Sequence, residues 1–226
     1  MADRQDPTVG SAATRQRLID AARELLTENG PAKLRVQDIA RRAGLTTGAL
    51  YAHFRDRQDL LAEAVRSAQD DYLAELVAPL PADVAERSLA QRLPVLQPVD
   101  GSDPAPQLAA VLVSALTGEF SPSAALLVES FAMAIHSDSA PALRSTAASL
   151  HESLMRQAES LHADGLLPAD VPPAAFATFW AAVMHGSAVL AGLGFPRCSP
   201  EEITPLLLAV AKTMTVPGDD GTPVGR

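Results

Sequence analysis

The sequence predicts an all-α protein: an N-terminal three-helix head joined by a long helix to a larger C-terminal helical domain. Three observations carry this expectation. Apolar residues recur at spacings of three and four in every segment bounded by Pro, Ala or Gly, and no segment alternates with a period of two. The stretch Val36–Phe54, VQDIARRAGLTTGALYAHF, reads as two short helices joined by a tight turn. Charge divides the chain as well: residues 1–66 hold 11 basic and 9 acidic side chains, a net +2, whereas residues 67–226 hold 7 basic and 18 acidic, a net −11.

In the two-helix stretch, Ile39, Ala40 and Ala43 fall on one face of the first helix. Gly44 ends that helix, being the residue that enters the left-handed conformation without steric cost. Thr46 is a candidate N-cap for the second helix, and Leu50 and Phe54, four apart, point back at the first. With Leu50 inward and about 100° per residue, Gly48 and Ala52 point outward, and Thr47, Ala49 and Tyr51 lie on the flanks. A helix with small residues at its crest and hydroxyls beside it can sit deep in a DNA major groove. Apolar crests touch thymine methyls there, while hydroxyls and N–H groups take phosphates. The geometry is that of a helix-turn-helix reader, although an ordinary helical hairpin would share the spacing.

The run IARRAGLTTGALYAHFRDRQDLLAEAV, Ile39–Val65, resembles the DNA-binding signature of the TetR (tetracycline-repressor-like) family. The matching pieces are Ile39-Ala40, Ala43-Gly44-Leu45, Gly48, Leu50-Tyr51, His53-Phe54 and Leu60-Leu61, within about the first 66 residues. Two positions depart from the pattern. Arg35 stands where the family often has a capping Thr, and Arg57 replaces a frequent Lys. The resemblance implies that Tyr51 and His53 contact phosphates, with Arg57 and the first turn of its helix beside them. It implies that Thr47 and Gly48 lead the DNA-facing set, with Thr46 and Ala49 next to them, and that Arg35 and Gln37 approach the DNA. Gln37 can also reach an adenine edge.

Taken in order, residues 1–13 read as a disordered arm, and a first helix is expected over Thr14–Glu28 with Leu18, Ile19, Ala22, Leu25 and Leu26 buried. The head is placed at residues 14–56, and the ligand-binding and dimerisation domain at 57–215. Asp56, with Asp59 three residues on, resembles a capping box opening a helix to about Val77. Ala82–Leu93 is a short helix, and a loop follows through Val99–Ser102. Further helices are expected at Gln107–Leu116, Ser123–Ser137, Ala142–His162, Pro173–Leu193 and from Ser199 or Pro200 to Met214, before a disordered tail, residues 216–226.

In the helix from Pro173, Ala174, Thr178, Ala181, His185, Ala188 and Gly192 line a small face, opposite Phe176, Phe179, Trp180, Val183 and Leu190. One face is expected to pack on its own domain and the other on a partner. The pair Ala142–His162 and Pro173–Leu193 is similar, by position and pattern, to the four-helix dimer interface of TetR-like proteins. Val171–Pro196 lacks Asp, Glu, Lys and Arg for 26 residues, long enough to span a bilayer. Its prolines and glycines and the lack of a basic flank favour a buried helix, so no membrane association is expected. No apolar leader opens the chain, and the single Cys198 fits a reducing cytoplasm.

Catalysis is not expected. The sequence has no GxSxG, P-loop, GxGxxG after a strand, or HExxH. His151 and His162 share a helix face but sit about 16 Å apart along it, too far to chelate; no metal or cofactor is expected. The resemblance instead implies a small-molecule effector of the C-terminal domain. Candidate lining residues are Phe120, Phe131, Met133, His136, Trp180, Met184 and His185, apolar bulk with a few polar handles. The expectation is therefore a cytoplasmic, homodimeric transcriptional regulator, a repressor of a palindromic double-stranded operator released by an apolar small molecule. A helical small-molecule-binding or protein-interaction module that does not engage DNA is the competing reading, favoured by a head charge of only +2.

Overall fold

The computed structural model describes residues 7–30, 34–91, 103–136 and 141–216. Its helices are α1 (Pro7–Asn29), α2 (Val36–Arg42), α3 (Thr47–His53), α4 (Arg57–Val77), α5 (Ala82–Gln91), α6 (Ala105–Thr117), α7 (Pro122–His136), α8 (Pro141–Ala163), α9 (Pro173–Gly192) and α10 (Pro200–Met214). No strand occurs among the described residues. The all-α expectation holds, with a helix-turn-helix head and a C-terminal helical domain. Residues 1–6, Lys33, Leu93, the loop Val99–Ser102, Ser137 and the tail from 217 lie outside the described residues.

The chain forms two compact units, divided differently from the linear cut at residue 56. The first takes in the chain up to Gln69 and, from far along the sequence, Pro122–Ala147. Its core holds Leu18, Ile19, Leu25 and Leu26 of α1, Ile39 of α2, Leu50 and Phe54 around α3, Leu60 and Leu61 of α4, and Leu126 of α7. Arg23 of α1 donates to Ser67 Oγ at 3.0 Å and to Ser123 Oγ at 3.4 Å, tying α7 to α1 with polar contacts beside the apolar one. The second unit takes Asp70–Ser121 and the chain from Ala148 on. There α6 buries Ala105, Leu108, Ala109, Val111, Leu112 and Ala115, packing on α10 and α9. That breadth of burial follows from its Ala, Val and Leu composition.

Four expectations change. Residues Pro7–Ala13, expected in the arm, are the first turns of α1. Proline is tolerated at a first helical position, Ala12 and Ala13 favour helix, and the Thr14 hydroxyl donates to Gly10 O at 2.8 Å. One glycine does not outweigh these. Val216, assigned to the tail, donates its N–H to Leu166 O at 3.0 Å. In α9 the buried face is Phe176, Ala177, Trp180, Met184, Ser187 and Ala188, which cuts across the small and bulky faces read from sequence. Its outward stripe holds Ala175, Thr178, Phe179, Ala182, Val189 and Leu193, with Leu193 67% exposed. This helix is long and apolar enough to cross a membrane, yet Trp180 at 3% exposure stacks with Phe176 at 6.4 Å inside the second core. Finally, Asp56 caps α4 by accepting from Asp59 N–H at 2.9 Å, but Asp59 does not return the bond to Asp56. Its carboxylate accepts the Arg55 N–H at 3.0 Å, so only half of the capping box forms.

The α2–α3 turn shows why the sequence needs a glycine at position 44. Gly44 N–H donates to Arg41 O at 3.0 Å and Leu45 N–H to Ala40 O at 2.8 Å, the paired bonds that close a helix through a left-handed residue. Gly44 has φ 66°, and a Cβ there would also meet the Arg17 guanidinium at 3.2 Å. Gly44→Ala is expected to destabilise the head by about 1–2 kcal/mol. Urea unfolding followed by far-UV circular dichroism measures this, and a midpoint equal to wild type would contradict it.

Candidate nucleic-acid interface

Helix α3 is held from both ends. Thr46 is its N-cap, in extended conformation, and Thr46 Oγ1 accepts the Ala49 N–H at 3.1 Å. At the other end Phe54 is extended (φ −131°, ψ 136°) and buried, and its N–H donates to Leu50 O at 3.0 Å. Between them Leu50 is fully buried. Seven residues make two turns, so fixing Leu50 fixes everything on the far side. There Thr47, Gly48 and Ala52 are exposed, Ala49 and His53 are half-buried, and the Tyr51 side chain stands 56% exposed.

Gly48 is informative because the protein does not need it. A Cβ at that position would meet only Thr46 Oγ1, at an ordinary 3.7 Å, and Gly48 is not among the positive-φ glycines. Glycine costs a helix up to about 1 kcal/mol against alanine. A crest kept bare at that cost suits close approach by something outside the protein.

Arg35 is the residue before α2 and has no side-chain cap hydrogen bond; its backbone carbonyl accepts from Asp38 and Ile39 N–H instead. The departure noted at this position does remove a side-chain cap. Arg35 and Gln37 are both exposed. Arg57 is half-buried at the first position of α4, where the helix N-terminus offers its positive end. The sequence-predicted DNA residues thus gather on α2, α3 and the start of α4, within one unit.

The head's arginines are largely engaged at home. Arg42 pairs with Glu24 at 2.9 Å and Glu28 at 2.7 Å, and holds the Glu28 carboxyl below its usual range through that hydrogen bond. Arg15 pairs with Glu63 while lying over the Phe54 ring at 5.1 Å, and Arg66 pairs with the same Glu63. Arg41 meets Asp38 at 2.6 Å, and Arg55 meets Asp59 at 3.0 Å. Arg55's hydrogen bonds lower the Asp59 carboxyl.

The predicted ligand residues divide between the units. Trp180 and Met184 lie in the second core, and half-buried His185 places Nδ1 2.7 Å from Ala181 O. Phe120 is 40% exposed, with its ring where a Cβ on Gly192 would sit, at 2.7 Å. Phe131 belongs to the first unit. The side chains of Met133 and His136 lie outside the described residues. Sequence reasoning missed two polar groups beside Met184. Tyr72 Oη donates to Met184 O at 3.4 Å, and Ser187 Oγ donates to the same carbonyl at 2.8 Å. Tyr72 lies in a segment that the sequence marks only as a helix running to about Val77; its hydroxyl is the available signal. A groove of about 420 Å³ lies elsewhere, between α1 and α7, bordered by Asp20, Glu24, Glu28, Pro122 and Leu126, and holds none of the seven predicted ligand residues.

Among known proteins, the family of bacterial regulatory proteins, tetR family, matches residues 18–64. A transcriptional repressor of Rhodococcus jostii, KstR2, is 38% identical over 66 residues, which cover 29% of this chain and 32% of that protein. The AcrR regulator of Shigella flexneri is 42% identical over 50 residues, covering 22% of this chain and 23% of that protein. The chain thus matches a third or less of the length of these two relatives. In three dimensions, a protein described as a TetR-family transcriptional regulator from Rhodococcus sp. has a TM-score of 0.63 at 21% identity. The likeness covers 91% of this chain and 100% of that one. A TetR-family member from Streptomyces coelicolor has a TM-score of 0.61 at 25% identity, covering 90% and 99%. The likeness of fold therefore extends well past the head.

Burial lowers the His185 pKa from its usual value, its hydrogen bond to Ala181 opposing this less strongly, so folding disfavours protonation of the imidazole. Unfolding frees it to bind a proton, so this contribution to stability is present above about pH 6.5 and is lost as pH falls below it. Lowering the pH from 7.5 to 5.5 is expected to reduce the urea midpoint more in wild type than in His185→Gln. An equal reduction in both would refute it.

Proposed function

We propose that the chain, whose residues 18–64 match the family of bacterial regulatory proteins, tetR family, is a DNA-binding transcriptional regulator, a repressor. It binds a palindromic operator as a homodimer in the cytoplasm and is released by a small molecule held in the C-terminal domain. The observation that carries the reading is the α3 crest. Gly48 is bare without internal need, and Thr47 and Tyr51 flank it in the open. Arg35, Gln37, Thr46, Ala49, His53 and Arg57 surround this crest as the contact set. Arginine and asparagine, the usual bidentate base readers, are absent from α3 itself, so specificity leans on DNA shape as well as on the crest.

Two readers one turn of DNA apart, about 34–36 Å, recognise a palindrome far better than one. The outward stripe of α9, from Phe179 to Leu193, supports a second copy as its cover. The solved relative from Saccharomonospora viridis, in complex with choline, supports a small-molecule effector. Such an effector needs only to bind the DNA-incompetent arrangement more tightly, by the amount it is to shift the equilibrium. Trp180, Met184, His185 and Phe120 remain the residues proposed to meet it. The engaged arginines favour one competing reading, a helical binding module that leaves DNA alone.

Selection of bound duplexes from a random pool separates the two. Wild type is expected to enrich an inverted repeat of modest consensus, and Thr47→Ala/Tyr51→Ala to lose it. Gly48→Ala is expected to fold slightly more stably, yet bind the selected repeat at least about tenfold more weakly, roughly 1.4 kcal/mol. No enrichment at low salt would favour the binding module. Val189→Glu, placing a charge in the α9 stripe, is expected to give a monomer by sedimentation and to abolish preference for the inverted repeat over a half-site. A dimer that persists would place the interface elsewhere.

A further inference from the structure

Arg55 stands at the corner where the chain leaves α3. Phe54 before it is extended and turns its ring into the head. The Arg55 side chain is 86% exposed. Its guanidinium rests 3.0 Å from Asp59 Oδ1, while its own N–H donates to Asp59 Oδ2 at 3.0 Å.

We propose that Arg55 is a further phosphate contact of the reading head, and that Asp59 holds it in reserve: on DNA a backbone phosphate replaces Asp59 Oδ1 as the guanidinium's partner. This rests on the DNA-binding reading. An exposed ion pair is weak and screened by salt, whereas a phosphate offers the guanidinium two parallel hydrogen bonds. The corner keeps its shape during the exchange, because the bond from Arg55 N–H to Asp59 Oδ2 and the cap from Asp56 are made by other atoms. Only a side chain turns. The other carboxylate-paired arginines of the head are less suited. Arg42 is shared by two carboxylates, Arg15 is fixed between Glu63 and the Phe54 ring, and Arg41 is paired within α2. Asp59 therefore tunes affinity without touching DNA.

The test uses the full chain and a labelled mixed-sequence duplex, whose binding reports phosphate contacts alone, by fluorescence anisotropy across a salt series. Arg55→Ala is expected to weaken binding about tenfold at low salt and to make the log–log salt slope shallower by about 0.9. Asp59→Asn, which keeps an acceptor for the Arg55 N–H and removes the charge, is expected to tighten binding several-fold. The double variant is expected to match Arg55→Ala. If wild type binds and Arg55→Ala matches it in affinity and slope, the proposal is wrong while the DNA-binding reading stands. If Asp59→Asn leaves affinity unchanged, or tightens it equally without Arg55, Asp59 is no competitor and the reserve is overturned. Wild type that binds no duplex at low salt sinks both. Circular dichroism of each variant confirms that losses of affinity are not losses of fold.

Discussion

The burial of Leu50 and Phe54 is the constraint from which the head's outer surface follows. The two side chains lock α3 and its exit against α1 and α2, and a helix of two turns has no freedom to rotate once one face is fixed. The bare crest, the flanking hydroxyls and the outward corner at Arg55 are consequences of that single burial. Gly44 serves the same end: it sets the angle at which α3 arrives, through two backbone bonds that a left-handed residue makes without strain. Position-specific chemistry on the outside is thus bought by apolar chemistry on the inside.

Charge in the head follows a different logic. A net +2 over residues 1–66 is slight for a partner carrying one negative charge per about 1.7 Å of helix axis. The structure shows where the positive charge goes: Arg15, Arg41, Arg42, Arg55 and Arg66 each face a carboxylate of the same head. Such pairing keeps a small helical unit from repelling itself, and it lowers the sequence-independent attraction to DNA. On the DNA-binding reading, a head built this way draws more of its discrimination from fit, from hydroxyls, amide N–H groups and helix ends, than from bulk charge. The bare glycine is consistent with that strategy, because fit demands closeness.

Much of this was legible in the sequence because it is local. The turn at Gly44, the Thr46 cap, the inward Leu50 and the outward Gly48 depend on neighbours within four residues, which periodicity and capping preferences describe. What escaped was what depends on distant partners. Leu126 has the same apolar helical context as its neighbours, and nothing nearby marks it for the head's core a hundred residues upstream. Its placement with α1 is a tertiary choice, as is the mixed face that α9 buries. There, size sorting suggested two faces, but the burial direction falls between them and takes Trp180 together with Ala188. The Asp56–Asp59 pair failed for a subtler reason: Arg55 offers Asp59 both an N–H and a guanidinium, and two donors outcompete the one that a capping box supplies.

The same competition bears on how the candidate site works. A cap, an ion pair and the proposed DNA contact draw on overlapping groups at the α3–α4 corner, and each group can serve only some of them at once. Asp56 is committed to the cap and Asp59 Oδ2 to the backbone of Arg55, which leaves the Oδ1–guanidinium contact as the replaceable bond. Replaceable bonds at an exposed corner cost little to break, because water and salt already weaken them. On the proposed reading, an interface assembled from such bonds forms and releases quickly, and a modest difference in an effector's affinity for two arrangements of the chain is enough to control it.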